Sequence, residues 1–167
     1  MLPRVSTILK TYWPDMYASE DALASGTFRH DLIEQALNHG DLSYMDEDPK
    51  LVGLKKWLDE ELVEVFYVEE LFKNETLGYV GHPDAVLSTK TYGTAIFDWK
   101  SNPVPTKGNL MQAQAYSNFL WPTPYLKCHL VHLCGETVKV TKFEPDPHLW
   151  AGFLNGLKFL QSKDALK

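Results

Sequence analysis

Cysteine is scarce in this chain of 167 residues, in which Cys128 and Cys134 are the only two. Two cysteines exclude a framework of several disulfides and a metal cluster held by four thiolates. In a strand, Cys128, His132 and Cys134 would lie on one face, so a zinc site is conceivable. The run around them is otherwise apolar, and burial as small hydrophobic side chains is the preferred interpretation of both cysteines.

Long apolar runs and an excess of positive charge are also missing. No stretch reaches the roughly 18 apolar residues of a transmembrane helix, and the N-terminus lacks the apolar core of a signal peptide, so we expect a cytoplasmic protein outside the membrane. The net charge of −6 argues against a general nucleic-acid coat. It does not exclude a site where carboxylates gather around a metal ion, because the ion neutralises them.

Apolar and aromatic residues are plentiful and make up 44% and 13% of the chain. At this length, the composition predicts a single packed domain over 1–167. The predicted helices cover 19–41, 48–62, 107–121 and 147–163, the predicted strands cover 63–74, 77–89, 93–101, 124–134 and 136–144, and 4–10 is a β-prone or turn segment.

The connections between these elements predict how the strands pair. Short connections make the first three strands antiparallel neighbours, whereas the helix after them allows a crossover to a parallel strand. We therefore expect an α/β fold with a mixed central β-sheet flanked by helices.

The segment 81–100 carries more charge than a hairpin that only fills a core would need. It contains Asp84 after a proline, and then Asp98 and Lys100 two residues apart. Pleating places Asp98 and Lys100 on the same face of one strand, and Asp84 on the preceding strand can converge with them. Two converging carboxylates repel each other unless a cation such as Mg²⁺ or Mn²⁺ joins them. The alternative is a surface ion pair between Asp98 and Lys100, with Asp84 in a turn.

Four short motifs follow one another along the chain: GTFRH at 26–30, GHPD at 81–84, FDWKS at 97–101 and QAQAY at 112–116. Each motif is weak alone, but the ordered set resembles the PD-(D/E)XK nuclease superfamily and, within it, the RecB-like exonuclease branch. The motifs match that branch's G-x-x-x-H, G-x-x-D, D-x-K and Q-x-x-x-Y patterns, and they span roughly half of the chain. The resemblance implies a restriction-endonuclease-like core.

The segments 6–9, 68–84 and 96–101 are further similar to mitochondrial genome maintenance exonucleases and their phage relatives. The resemblance implies a metal-dependent DNA exonuclease that hydrolyses phosphodiester bonds from single-stranded or frayed ends in replication, recombination or repair. It implies Mg²⁺ or Mn²⁺ as cofactor, and DNA and other DNA-processing proteins as partners. The oligomeric state stays open, and a phage-encoded enzyme would act in the host cytoplasm.

The resemblance also implies a role for each residue of the motifs. The metal ligands would be His30, Asp84, Asp98 and the main-chain carbonyl of Trp99, and Lys100 would serve the nucleophilic water. As a lone histidine, His30 would more often be a core or capping residue, and only the motif context favours a ligand.

Further polar residues are expected around this set. Gln112 and Tyr116 lie one turn apart on a predicted helix and would touch the DNA backbone or position Lys100. Glu34, one turn after His30, would hydrogen-bond to it or remain exposed. Glu69 and Glu70 are expected on opposite faces of one strand, and the resemblance favours Glu69.

Two other functions share these residues. An endonuclease of the same superfamily would use the same two aspartates and lysine, and a non-catalytic nucleic-acid-binding protein would use the same fold. For contact with bases, the segment 10–17 supplies Tyr12, Trp13 and Tyr17 as candidate stacking residues.

Overall fold

The computed structural model of the chain describes residues 1–14 and 20–165. The helices are α1 (Val5–Leu9), α2 (Glu20–His39), α3 (Val52–Glu61), α4 (Lys107–Tyr116) and α5 (Pro147–Ala165), with short 3₁₀ helices over Leu42–Glu47 and Pro49–Leu51. The strands are β1 (Leu62–Val68), β2 (Phe72–Asn74), β3 (Tyr79–Gly81), β4 (Ala85–Thr89), β5 (Gly93–Lys100), β6 (Cys128–Leu133) and β7 (Val138–Thr141). Among the described residues, no helix combines the length and apolar character needed to cross a membrane.

Five strands form the central sheet in the order β1-β4-β5-β6-β7, and β2 and β3 form a separate two-stranded sheet. All neighbouring pairs of the central sheet are antiparallel except β5 and β6, which are parallel. The parallel pair follows from α4, which carries the chain across the sheet between β5 and β6. The predicted α/β fold with a mixed sheet is thereby confirmed.

Each face of the central sheet is covered by its own helices. Ile96 of β5 packs in a buried cluster with residues of α1, α4 and α5, such as Ile8 and Phe153. Phe97 and Trp99 belong to a second buried cluster, formed with α2 and α3. Since side chains alternate along a strand, Asp98 and Lys100 lie on the same face as Ile96, which is the α4 side. The functional groups of β5 therefore lie between the sheet and α4.

Three expectations about local structure are wrong. The segment 4–10 contains the helix α1, because Val5, Ile8 and Leu9 bury one helical face at i, i+3 and i+4 spacing, which outweighs their β-branched composition. The predicted strand 63–74 divides into β1 and β2, which belong to different sheets, since Glu69 between them has a positive φ of 50° that interrupts extended backbone.

The predicted strand 77–89 also divides, into β3 and β4, with His82, Pro83 and Asp84 between them. Proline has no N–H to donate to a neighbouring strand, which favours a break at this point. The break leaves Asp84 at the end of the loop, directly before the first residue of β4.

Gly53 provides a test of how α3 packs on the β6–β7 turn. Its N–H donates to the carbonyl of Gly135 at 2.8 Å, and a Cβ at Gly53 would lie 2.4 to 2.6 Å from backbone atoms of Thr137. Gly53→Ala is therefore expected to lower the free energy of unfolding by about 2 kcal/mol in urea denaturation. The matched control is Gly26→Ala, where a Cβ meets no atom within 4 Å and a gain of up to about 1 kcal/mol is expected. Equal effects in the two variants would contradict this packing.

Candidate metal-binding site

Asp84 and Asp98 face each other across the β4–β5 pair. Ala85 pairs with Phe97 in this antiparallel ladder, and the same register continued by one residue sets Asp84 opposite Asp98. Both residues are buried, with 7% and 2% of their surfaces exposed. The structure thus brings together the two carboxylates that the sequence predicted to converge, in a place where an isolated charge is costly.

Asp84 is held in place from two sides. Its Oδ2 accepts a hydrogen bond from the backbone N–H of Trp99 at 2.6 Å, and its Oδ1 lies 3.2 Å from Nδ1 of His30. Burial alone would raise the pKa of Asp84, but the charge and hydrogen bond of His30 lower it, with further help from Lys100 and the Trp99 N–H. Asp84 therefore remains ionised and links α2 to β5.

His30 comes from α2, which runs along the opposite side of the site from α4. About a third of the His30 side-chain surface, 33%, is exposed. Burial lowers the pKa of His30, but the charge and hydrogen bond of Asp84 and the charge of Asp98 together raise it to about 9. In the metal-free protein the imidazole is therefore protonated at neutral pH and forms an ion pair with Asp84.

Asp98 forms an ion pair with Lys100 on the α4 side of β5. Oδ2 of Asp98 lies 2.5 Å from Nζ of Lys100, yet this oxygen is buried and has no hydrogen bond of regular geometry. Burial, followed by the repulsion of Asp84, raises the pKa of Asp98 to about 6, although Lys100 opposes the shift. Burial lowers the pKa of Lys100, but Asp98 and Asp84 outweigh this effect and raise it.

A chain of hydrogen bonds leads from Lys100 through α4 to the loop before Asp84. Nζ of Lys100 donates to Oε1 of Gln112 at 2.7 Å, and Nε2 of Gln112 donates to the hydroxyl of Tyr116 at 3.1 Å. The Tyr116 hydroxyl in turn donates to the carbonyl of His82 at 3.2 Å. Because Gln112 and Tyr116 are four residues apart, they lie on one face of α4. Of the two roles expected for these residues, the contacts match the positioning of Lys100.

Glu69 contributes more to the site than its place in the sequence indicated. Its backbone N–H donates to the carbonyl of Asp84 at 3.0 Å, and potential ligand atoms of Glu69, His30 and Asp84 lie within 4.8 Å of one another. Burial and the charge of Asp84 raise the pKa of the Glu69 carboxyl to about 8. The expectation that Glu69 lies within a strand is wrong, since its positive φ turns it out of β1 towards the site.

Glu34 lies one turn after His30 and is half-buried. The charge of Glu34 contributes to the raised pKa of Glu69, so Glu34 lies close enough to interact electrostatically with the site. The partner that the structure gives the His30 ring is Asp84, and a hydrogen bond from Glu34 to His30 stays a prediction. The same holds for the main-chain carbonyl of Trp99 as a ligand, because the contact found for Trp99 is its N–H on Asp84.

The donor set suits a hard divalent cation with a preference for oxygen. Glu69 and Asp84 supply carboxylates and His30 supplies an imidazole, with ligand atoms within 4.8 Å of one another, and Asp98 is a neighbouring carboxylate outside this group. Such donors are typical of Mg²⁺ or Mn²⁺ sites. The pKa of Glu69 is raised by burial and then by the charge of Asp84, so negative charge is costly at this place and a cation would relieve that cost. The residues present therefore fit such an ion.

The zinc site considered for the cysteines is not assembled. Cys128 is buried and Cys134 is exposed, so the expectation that both are buried is wrong for Cys134, which follows the end of β6. Both ring nitrogens of His132 are engaged, with Nδ1 2.6 Å from the carbonyl of Asn102 and Nε2 2.9 Å from the hydroxyl of Thr141. A carbonyl oxygen can only accept a hydrogen bond, so Nδ1 carries the proton. His132 therefore links the loop after β5 to β7.

The candidate stacking residues of segment 10–17 have different environments. Tyr12 is 42% exposed, and its hydroxyl donates to the carbonyl of Gly152 at 2.6 Å. Trp13 is half-buried and packs against the buried cluster that contains Ile8 and Phe153, so it is the poorer stacking candidate. Tyr17 lies outside the described residues. Base stacking on Tyr12 stays a prediction.

Two comparisons with known proteins give no match for this chain. No family model matches the sequence. No curated protein matches it either. Function is therefore inferred from the site itself and from the motifs.

Proposed function

We propose that this protein is a metal-dependent deoxyribonuclease of the PD-(D/E)XK type that works as an exonuclease on single-stranded or frayed DNA ends. The observation that carries the proposal is the arrangement around β4 and β5. Asp84 and Asp98 are buried side by side, and Lys100 is held next to Asp98 by Gln112. A buried pair of carboxylates beside an ammonium group has a clear use in cutting a phosphodiester, and little use in packing.

In this proposal, Asp84, Asp98 and His30 would hold Mg²⁺ or Mn²⁺, and Glu69 would be a further ligand from the loop after β1. When bound, the ion supplies Lewis-acid stabilisation of phosphate charge and a lower pKa for the attacking water. Asp84 is well suited to this role, because His30 and the Trp99 N–H orient its two oxygens.

Lys100 acts as a donor in this proposal. Its raised pKa keeps the side chain an ammonium group at neutral pH, so it offers protons for hydrogen bonds and positive charge. It would orient the water or stabilise the extra negative charge on the phosphate as the bond breaks. Gln112 accepts one of its N–H bonds and so limits where Nζ points.

Gln112 gives a prediction about positioning. Gln112→Ala removes the acceptor for Lys100 and the donor to Tyr116, so kcat should fall about tenfold, with KM for DNA little changed. Mn²⁺ affinity, measured by calorimetry, should stay as in the wild type because Gln112 is not a ligand. Gln112→Glu is the matched variant: it keeps the acceptor for Lys100 and should restore most of the activity. A KM effect alone would show that Gln112 binds DNA instead.

The choice between exonuclease and endonuclease rests on the motifs, since both would use the same carboxylates and lysine. A linear single strand and a covalently closed circular strand of equal length separate them. We expect digestion of the linear strand only, in Mg²⁺ and in Mn²⁺; cleavage of the circle would identify an endonuclease. A non-catalytic DNA-binding protein would cut neither, but buried carboxylates repel phosphate and suit that role poorly.

The wider setting follows from the sequence and stays a prediction. The proposed partners are DNA and other DNA-processing proteins, in the cytoplasm of the cell or, for a phage enzyme, of its host.

A further inference from the structure

A small cavity lies next to the candidate metal site, on the side of α1. Its volume is about 180 Å³, and its lining consists of Arg4, Val5, Ser6, Gly81, His82 and Tyr116. Two of these residues belong to the hydrogen-bond chain described above, because the Tyr116 hydroxyl donates to the carbonyl of His82. The cavity is therefore continuous with the group of residues that positions Lys100.

The floor of the cavity is kept open by Gly81. A Cβ at this position would lie 2.9 Å from ring atoms of both Phe119 and Tyr116. Because only glycine fits, β3 can approach the ring of Tyr116 closely and bring the loop at His82 over α4. The cavity is thus a feature of close packing and not a gap between loosely placed loops.

Backbone contacts hold the segment of Arg4 and Ser6 in place, but their side chains have no polar partner among the described residues. Arg4 forms a β-bridge with Val80, and the N–H of Val80 donates to the carbonyl of Pro3 at 3.0 Å. Val5, directly after Arg4, is buried. In the part of the chain that the structure describes, neither the exposed guanidinium of Arg4 nor the half-buried hydroxyl of Ser6 has a hydrogen-bond or ion-pair partner. Two unused donors therefore stand at a fixed place beside the site.

The positive charge of Arg4 favours an anion as the ligand of this cavity. The chain carries a net charge of −6, and the adjacent site contains Asp84, Asp98 and Glu69, so an unpaired arginine at this spot is an exception to its surroundings. A guanidinium and a hydroxyl are the usual donors to a phosphate group. The cavity is smaller than the roughly 300 Å³ of the smallest drug-sized pockets, which fits a phosphate with part of a sugar and not a whole nucleoside.

We infer that Arg4 and Ser6 form a phosphate-binding subsite that holds a phosphate of the DNA strand next to the one being cut. The inference rests on the proposed function, and it adds a positioning role for α1. By holding the neighbouring phosphate, Arg4 fixes the register of the strand so that the scissile phosphate lies between the carboxylates and Lys100. Arg4 would be a positioning residue that acts through the strand.

Binding of a fluorescent oligonucleotide tests this subsite separately from cleavage. Anisotropy is measured for the wild type, Arg4→Gln and the matched control Lys139→Gln, which makes the same charge change on β7, with Ca²⁺ replacing Mg²⁺. Arg4→Gln should weaken binding about tenfold. The slope of log affinity against log salt should fall by about 0.7, the value for one phosphate contact on a single strand. Lys139→Gln should change neither quantity.

Neutral methylphosphonate linkages, placed one at a time along the oligonucleotide, locate the phosphate. At one linkage the wild type should lose about tenfold in affinity, while Arg4→Gln loses nothing, since its contact is already gone. Oligonucleotides with a 5′-phosphate or a 5′-hydroxyl decide between a terminal and an internal phosphate. Affinity and salt slope equal to the wild type in Arg4→Gln would overturn the inference.

Cleavage measured in parallel keeps the two proposals apart. A wild type that cuts DNA, with an Arg4→Gln variant that binds and cuts equally well, would overturn the subsite and leave the nuclease proposal intact. A wild type that binds DNA through Arg4 but does not cut it would overturn the nuclease proposal and leave the subsite standing. Mn²⁺ affinity of Arg4→Gln should equal that of the wild type, which shows that the metal site has not been disturbed.

Discussion

Asp98→Asn is expected to lower kcat on a labelled single strand by about 10³-fold or more. The substitution keeps the shape of the side chain but removes the charge that is paired with Lys100 and that, in the proposal, would bind the metal ion. Because Asp98 is 2% exposed, water has little access to this side chain and is not expected to replace a lost ligand oxygen. The measurement is single-turnover cleavage in Mg²⁺ and Mn²⁺, with KM expected to change much less than kcat.

The control for this variant separates loss of chemistry from loss of fold. Asp59→Asn removes a carboxylate from the exposed side of α3 and should leave kcat unchanged. Circular dichroism and urea denaturation should show Asp98→Asn still folded. Lys100→Ala should be inactive to a similar degree, since Lys100 is the only donor that the site places against Asp98 among the described residues. Full activity of either variant in a folded state would exclude this site as the catalytic centre.

Metal affinity is expected to rise steeply with pH. In the metal-free protein the pKa of His30 is about 9 and that of Glu69 is about 8, so both hold a proton at pH 7. A metal ion needs the neutral imidazole and the ionised carboxylate and must therefore displace two protons. The association constant for Mn²⁺ should rise by up to about 100-fold per pH unit from 6.5 to 8, and by about tenfold from 8 to 9.

Calorimetry in buffers of different ionisation enthalpy measures this proton release directly. At pH 7, close to two protons should leave the wild type for each ion bound, and close to one should leave Glu69→Gln, in which His30, its pKa still raised by Asp84, has a proton to give up. The sign is fixed by the raised pKa values: the protonated forms persist below 8, so lower pH must weaken binding. Binding that does not change between pH 6.5 and 9 would show that His30 and Glu69 are not ligands.

The sequence predicted the general architecture because hydrophobic periodicity is a local property. The helices α2, α4 and α5 and the strand β5 follow from spacing that is visible within each segment. The helix at 4–10 was missed because its three buried residues are too few to outweigh β-branched composition. The breaks at Glu69 and Pro83 were missed because a strand-like composition continues through them.

The site was predictable to the extent that it depends on pleating and on motifs. Strand alternation placed Asp98 beside Lys100, the preceding strand brought Asp84 towards them, and the motifs added His30. The resemblance favoured Glu69 but placed it within a strand, and the proposed contribution of Arg4 could not be predicted at all. Glu69 reaches the site through a positive φ, which is rare for glutamate, and Arg4 through a bridge to a strand more than 70 residues away. Neither feature leaves a local pattern in the sequence.

The most direct test of the metal site is anomalous diffraction from a crystal of this protein soaked in Mn²⁺. The account predicts one strong manganese peak within bonding distance of carboxylate oxygens of Asp84 and Asp98, with His30 or Glu69 completing the set. No peak there, or a peak bound only to surface carboxylates elsewhere, would contradict a divalent-cation site between β4 and β5 and the nuclease function that depends on it.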